Sequence, residues 1–137
     1  MTNILDKYIQ NGSAEGWWVA SLVERFAFEG EDKSNKNRRC RAFSNVVMFK
    51  AKNREQAYKK AIKYGQDGND DLPEWSAFGR RGTWIFVGIE SLLPVKEEMD
   101  PDGTEICFDD FENITVGKVE SWVKEKNDLE AFDDSRK

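Results

Sequence analysis

The sequence predicts an α+β fold: an antiparallel sheet of about four strands, in the order β-β-α-β-β-α, with one main helix packed on one face. Three observations carry this. Four stretches are rich in Val, Ile, Phe and Trp without a helix-period stripe. One basic segment has the caps and spacing of a helix. Clusters of Gly, Pro, Asn and Asp separate these pieces. A chain of 137 residues reads as one domain with a single continuous core. Residues 17–108 are expected to build that core, with 1–16 an N-terminal helical segment and 114–137 a C-terminal helix and acidic tail.

The elements follow in order. Ile4, Leu5, Tyr8 and Ile9 stand at helical spacing and predict a short helical turn, which "NGSAEG" ends. "WWVASLVERFAF", residues 17–28, reads as a strand, and alternation sends Trp17 and Trp18 to opposite faces, so the two rings cannot form one stacked platform. "EGEDKSNKNRR" is a polar connector to a second strand in "CRAFSNVVMFKA". Asn53 stands at a helix N-cap with Gln56 three residues on, as in a capping box. Ala57, Tyr58, Ala61 and Ile62 make the apolar stripe of that helix, and Gly65 is placed to stop it. A loop over 66–82, including "GRRG", leads to a third strand, "TWIFVGIESLLPV", with Trp84 and Phe86 on one face and Ile85, Val87 and Ile89 on the other. "DPDGTE" is turn chemistry, and "TEICFDDF" reads as a shorter fourth strand. Val116, Val119, Trp122 and Val123 predict a second helix, and either its Trp122 or Ile4 and Leu5 could cover part of the sheet's other face.

Composition narrows the chemistry. The absence of histidine removes Ser-His and Cys-His nucleophilic pairs and the commonest transition-metal ligand. Cys40 and Cys107 form no Cys-x-x-Cys unit and are expected as free thiols in or beside the core of a cytoplasmic protein. The N-terminus lacks the pattern of a secretory signal, and no apolar run is long enough for a spanning helix, so no membrane is expected as a partner. Charge is polarised: Gly30 to Tyr64 holds eleven Lys or Arg against three acids, whereas Glu97 to the end holds fourteen acids against five bases. Asp109, Asp110 and Glu112 could hold a divalent ion, but alternation separates Asp109 from Asp110, and neither metal nor cofactor is expected. The basic run 33–41, with Phe43 nearby, offers a nucleic-acid contact but lacks a recognisable motif.

"WWVASLVERF", "NVVMFKAKNREQAYKKAIKYG" and "WIFVGIESLLPV" closely followed by "DGTEI" together resemble a bacterial family of domains of unknown function, the one numbered four-two-eight-eight, over roughly residues 17–108. The resemblance implies no catalytic residues. In size and acidity the chain also resembles immunity proteins encoded beside polymorphic or contact-dependent toxins. The expected function is therefore a non-catalytic protein that binds a cognate toxin and occludes its active site. Asp109, Asp110, Glu112, Glu120, Glu125 and Asp128 would supply the acidic face, and Trp75, Phe78 and Phe111 the aromatic anchors. The alternatives are a small carboxylate- or metal-dependent enzyme and a nucleic-acid adaptor using residues 33–41.

Overall fold

The computed structural model describes residues 15–70, 75–77 and 80–136. The turn expected around Ile4, Leu5, Tyr8 and Ile9 lies outside them. The chain divides into two compact units, one ending at Cys107 and one running from Phe108 to Lys137.

The first unit is α+β. Its elements are β1 (Trp17–Phe28), β2 (Ala42–Lys50), α1 (Arg54–Asp70), β3 (Trp75–Ala77) and β4 (Arg80–Pro94). β1, β2 and β4 form a three-stranded antiparallel sheet with β1 at its centre, and the three-residue β3 pairs with the start of β4. The strand expected over 104–111 does not form. Strand propensity depends on context, and apolar side chains alone do not make a strand. The amide of Glu105 is instead bonded to Glu97 Oε2 at 3.0 Å. Just before it, "DPDGTE" is the expected turn: the Gly103 amide donates to the Asp100 carbonyl at 3.1 Å and the Asp102 amide to Asp100 Oδ1 at 2.9 Å.

Helix α1 begins as its caps predict. Asn53 Oδ1 accepts from the Gln56 amide at 2.9 Å, and Gln56 Oε1 reaches back to the Lys52 amide at 2.6 Å. It does not stop at Gly65 but continues to Asp70. Gly65 serves packing instead, because a Cβ there would enter the ring of Phe86 on β4. Ala57, Ala61 and Gly65 thus form a small-residue stripe that lets the helix lie close to the sheet, with both alanines fully buried. At that approach there is no room for Tyr58, which spacing alone puts in the stripe and which is exposed.

The helix-side face of β1 supplies most of the core: Trp18, Ala20, Leu22, Phe26 and Phe28 are all buried. Trp18 also donates from Nε1 to the Ala51 carbonyl at 3.3 Å. Trp17, on the opposite face, is half-buried beneath the Lys50 ammonium, 5.3 Å from its ring centroid. The faces of β4 do not follow simple alternation. Its register against β1 shifts between Ser21 and Leu22 and again between Val23 and Glu24, leaving Glu90 and Val87 as the extra residues. Each bulge resets the alternation. Ile89, expected on the face opposite Phe86, therefore joins Phe86 and Leu92 against Ala20, Leu22 and Ala61.

The β1–β2 connector is more than a solvated tip. Glu31 accepts from both terminal nitrogens of Arg25, at 3.0 and 3.3 Å, from Arg38 Nη2 at 3.2 Å and from the Phe28 amide at 3.2 Å. Gly30 makes the turn into this cluster with φ +74°. The hydrogen bond from Arg25 is the largest cause holding the Glu31 carboxyl down at about 2, with Arg38 and the Phe28 amide adding to it. A carboxyl depressed on folding stabilises fully above its ordinary value of 4.5, and that contribution is lost as pH falls through about 2. Glu31→Gln is therefore expected to cost about 2 kcal/mol at pH 7. It should also lessen the fall in stability between pH 4.5 and 2. Urea titrations at pH 7 and pH 3 check this, and an equal fall with acid in both proteins would contradict it.

The second unit holds one short helix, α2 (Val116–Ser121), followed by three single turns of 3₁₀ helix. Thr115 caps α2, its Oγ1 accepting from the Lys118 amide at 3.2 Å. The helix expected from 116 onward stops early: Trp122 is its C-cap, with its amide bonded to the Val119 carbonyl at 3.2 Å.

Candidate functional site

In the second unit, Phe111 lies before α2 in a segment without regular structure, and the end of the helix presents Trp122 to it. The two rings pack with centroids 5.1 Å apart at 51°. Both remain open to solvent, Phe111 at 55% and Trp122 at 47%. Val116, Val119, Val123, Leu129 and Phe132 are exposed on the same unit. Trp122 is expected from its spacing to cover the sheet; its described ring contact is with Phe111.

The carboxylates expected to form the acidic face all belong to this unit. Asp109, Asp110 and Glu112 flank Phe111, Glu120 is in α2, Glu125 precedes the first 3₁₀ turn and Asp128 ends it, and every one is exposed. Among the described residues none of these six forms a salt bridge, whereas Lys124 pairs with Glu130 at 2.7 Å. No group of three or more Cys, Asp or Glu side chains converges among the described residues. The second unit thus carries both exposed aromatic area and exposed carboxylates.

Two of the expected anchors are not part of that surface as described. Trp75 belongs to β3 of the first unit, with its backbone alone described, and Phe78 lies outside the described residues. Cys40 and Cys107, expected as free thiols in or beside the core, are free, and both are exposed.

The basic segment is partly spent on the fold. Arg38 is half-buried, bonded to Glu31 and, from Nη1, to the Asn35 carbonyl at 2.6 Å. Arg41 lies over the ring of Phe43, 5.3 Å from its centroid, and Phe43 in turn packs on Trp84 at 4.9 Å. Sequence reasoning missed the Arg25–Glu31–Arg38 cluster, since six and seven residues separate its members and no periodicity links them.

No described helix is long and apolar enough to cross a membrane. No curated protein and no solved structure matches the chain. A family model does match, over residues 17–107, which is the span from the first residue of β1 to the last residue of the first unit. Its description is "Domain of unknown function (DUF4288)". The match covers well over half of the chain and every strand of the sheet, and on that ground the protein belongs to the DUF4288 family.

Proposed function

We propose that the protein is a non-catalytic binding protein, an immunity protein that occludes the cationic active site of a cognate bacterial toxin. The observation that supports this reading best is the exposed Phe111–Trp122 pair in the same unit as six exposed carboxylates that form no salt bridge among the described residues. A toxin that cleaves nucleic acid presents Lys and Arg at its site. Carboxylates steer such a surface into register, and desolvated rings supply the affinity. No bond is made or broken in this chain.

Co-expression with the product of the neighbouring gene tests the proposal. A stable complex is expected, together with protection from that product's toxicity. Phe111→Ala and Trp122→Ala should each weaken the complex about 30-fold, the equivalent of a 2 kcal/mol anchor. Absence of both complex and protection would overturn the reading. If the chain instead binds single-stranded nucleic acid in a salt-dependent manner lost with Arg41→Ala, the Arg41–Phe43–Trp84 stack is the functional surface.

A further inference from the structure

The outer edge of β2 has an accessible backbone ladder. β2 pairs with β1 in unbroken register from Trp17 with Lys50 to Arg25 with Ala42. At one end the Phe26 amide donates to the Arg41 carbonyl at 2.8 Å, and at the other the Ala51 amide donates to the Gly16 carbonyl at 2.8 Å. Residues 41 and 51 therefore turn their backbone groups toward β1. Alternation assigns 43, 45, 47 and 49 the same way. Ala42, Ser44, Val46, Met48 and Lys50 then point their amides and carbonyls outward, and no described strand pairs with them. Lys60 confirms the direction, since its Nζ donates to the Lys50 carbonyl at 2.6 Å from outside the sheet. That contact closes the edge at Lys50 and leaves Ala42 to Met48 without a strand partner among the described residues.

Sheets usually protect such an edge with charge, proline or a bulge. From Ala42 to Phe49, "AFSNVVMF", there is no proline, no charged side chain and no bulge. Val46 is 65% exposed and Met48 37% exposed. On the helix side the edge borders a cavity of about 270 Å³ lined by Met48, Phe49, Lys60, Lys63, Tyr64 and Asp67. Lys60, Lys63 and Asp67 therefore line the space beside β2 on that side, whereas alternation puts the exposed side chains of Val46 and Met48 on the other.

We propose that this edge accepts an extended acidic peptide as an added strand. The peptide's backbone completes the ladder of Ser44, Val46 and Met48. Alternate side chains then fall on the two faces, carboxylates toward Lys60 and Lys63, aliphatic groups beside Val46 and Met48. The partner is thus a segment of another protein that alternates Asp or Glu with Val or Ile. This surface is in the first unit and is independent of the acidic surface proposed above.

The test uses the full chain and a blocked seven-residue peptide alternating Glu with Val. Amide exchange followed by NMR should show Ser44 and Val46 slowed about tenfold or more by the peptide. Val46→Pro removes an outward amide that the fold does not use, and should abolish binding. Lys63→Glu, an exposed change that leaves the strand intact, should weaken binding about fivefold and allow a Lys/Val peptide to bind. Unchanged exchange at Ser44 and Val46 would overturn the proposal, as would equal binding of the Lys/Val peptide by the unaltered protein. Protection that appears without peptide and grows with protein concentration would also overturn it, because a second copy then occupies the edge.

Discussion

Phe26→Ala is expected to destabilise the first unit by about 4 kcal/mol, the middle of the range for truncating a buried aromatic ring. Phe26 is fully buried on β1's packed face, toward the end of the strand. Its ring meets Phe28 edge-on at 5.1 Å and Trp84 edge-on at 5.5 Å. Truncation removes the transfer free energy of the ring and leaves a cavity that two rigid neighbours cannot collapse into. The edge-to-face contacts are lost as well. Urea denaturation followed by tryptophan fluorescence, with Trp84 beside the cavity, measures the change. A loss below about 1 kcal/mol would show that the surrounding rings do rearrange, and that this end of the core is not close-packed.

Gly82→Ala should cost about 3 kcal/mol, from overpacking rather than from a cavity. Gly82 pairs with Phe28 at the end of the β1–β4 ladder. A Cβ there would collide with the Ala27 carbonyl oxygen and lie 2.7 Å from the Phe26 ring. A flexible side chain could move aside, but a backbone carbonyl cannot do so without shifting β1. The neighbouring bond from the Glu29 amide to the Arg81 carbonyl, 2.9 Å, should open first, and faster exchange at Glu29 would report it. Gly68→Ala is the control. A Cβ there meets nothing within 4 Å, so the helix should be stabilised by up to about 1 kcal/mol. Equal effects at the two glycines would mean that backbone freedom, not space, decides both.

Gly82 also marks a limit of local sequence rules. It stands in "GRRG", which looks like a turn because glycines at both ends of a short basic run are turn chemistry. Its actual reason is steric and lies on another strand, at Ala27. Gly65 is the same case: a helix stop by local rule, a contact point for Phe86 in the fold. The acidic residues are visible as a group, because charge is written in composition. Their isolation from any cationic partner among the described residues is not, since that depends on which side chains come within about 4 Å. The Arg25–Glu31–Arg38 cluster is hidden for the converse reason, as a turn with φ +74° at Gly30 brings together groups that no spacing rule relates.

What the sequence by itself determined is the α+β class, the three long strands, the capped helix and the family. Each of these follows from local properties: period-two alternation, a side chain bonding an amide three residues away, and ordered motifs along the chain. The opposite fates of Trp17 and Trp18 belong here too, because alternation alone separates them. Only the tertiary structure decided which glycines were packing sites, where β4 bulges and so turns Ile89 into the core, that 104–111 remains outside the sheet, and that one edge of β2 has no strand partner among the described residues. All four depend on which element lies beside which. A hydrogen-bond ladder and a close contact each need a partner distant in the chain, and no local pattern names that partner.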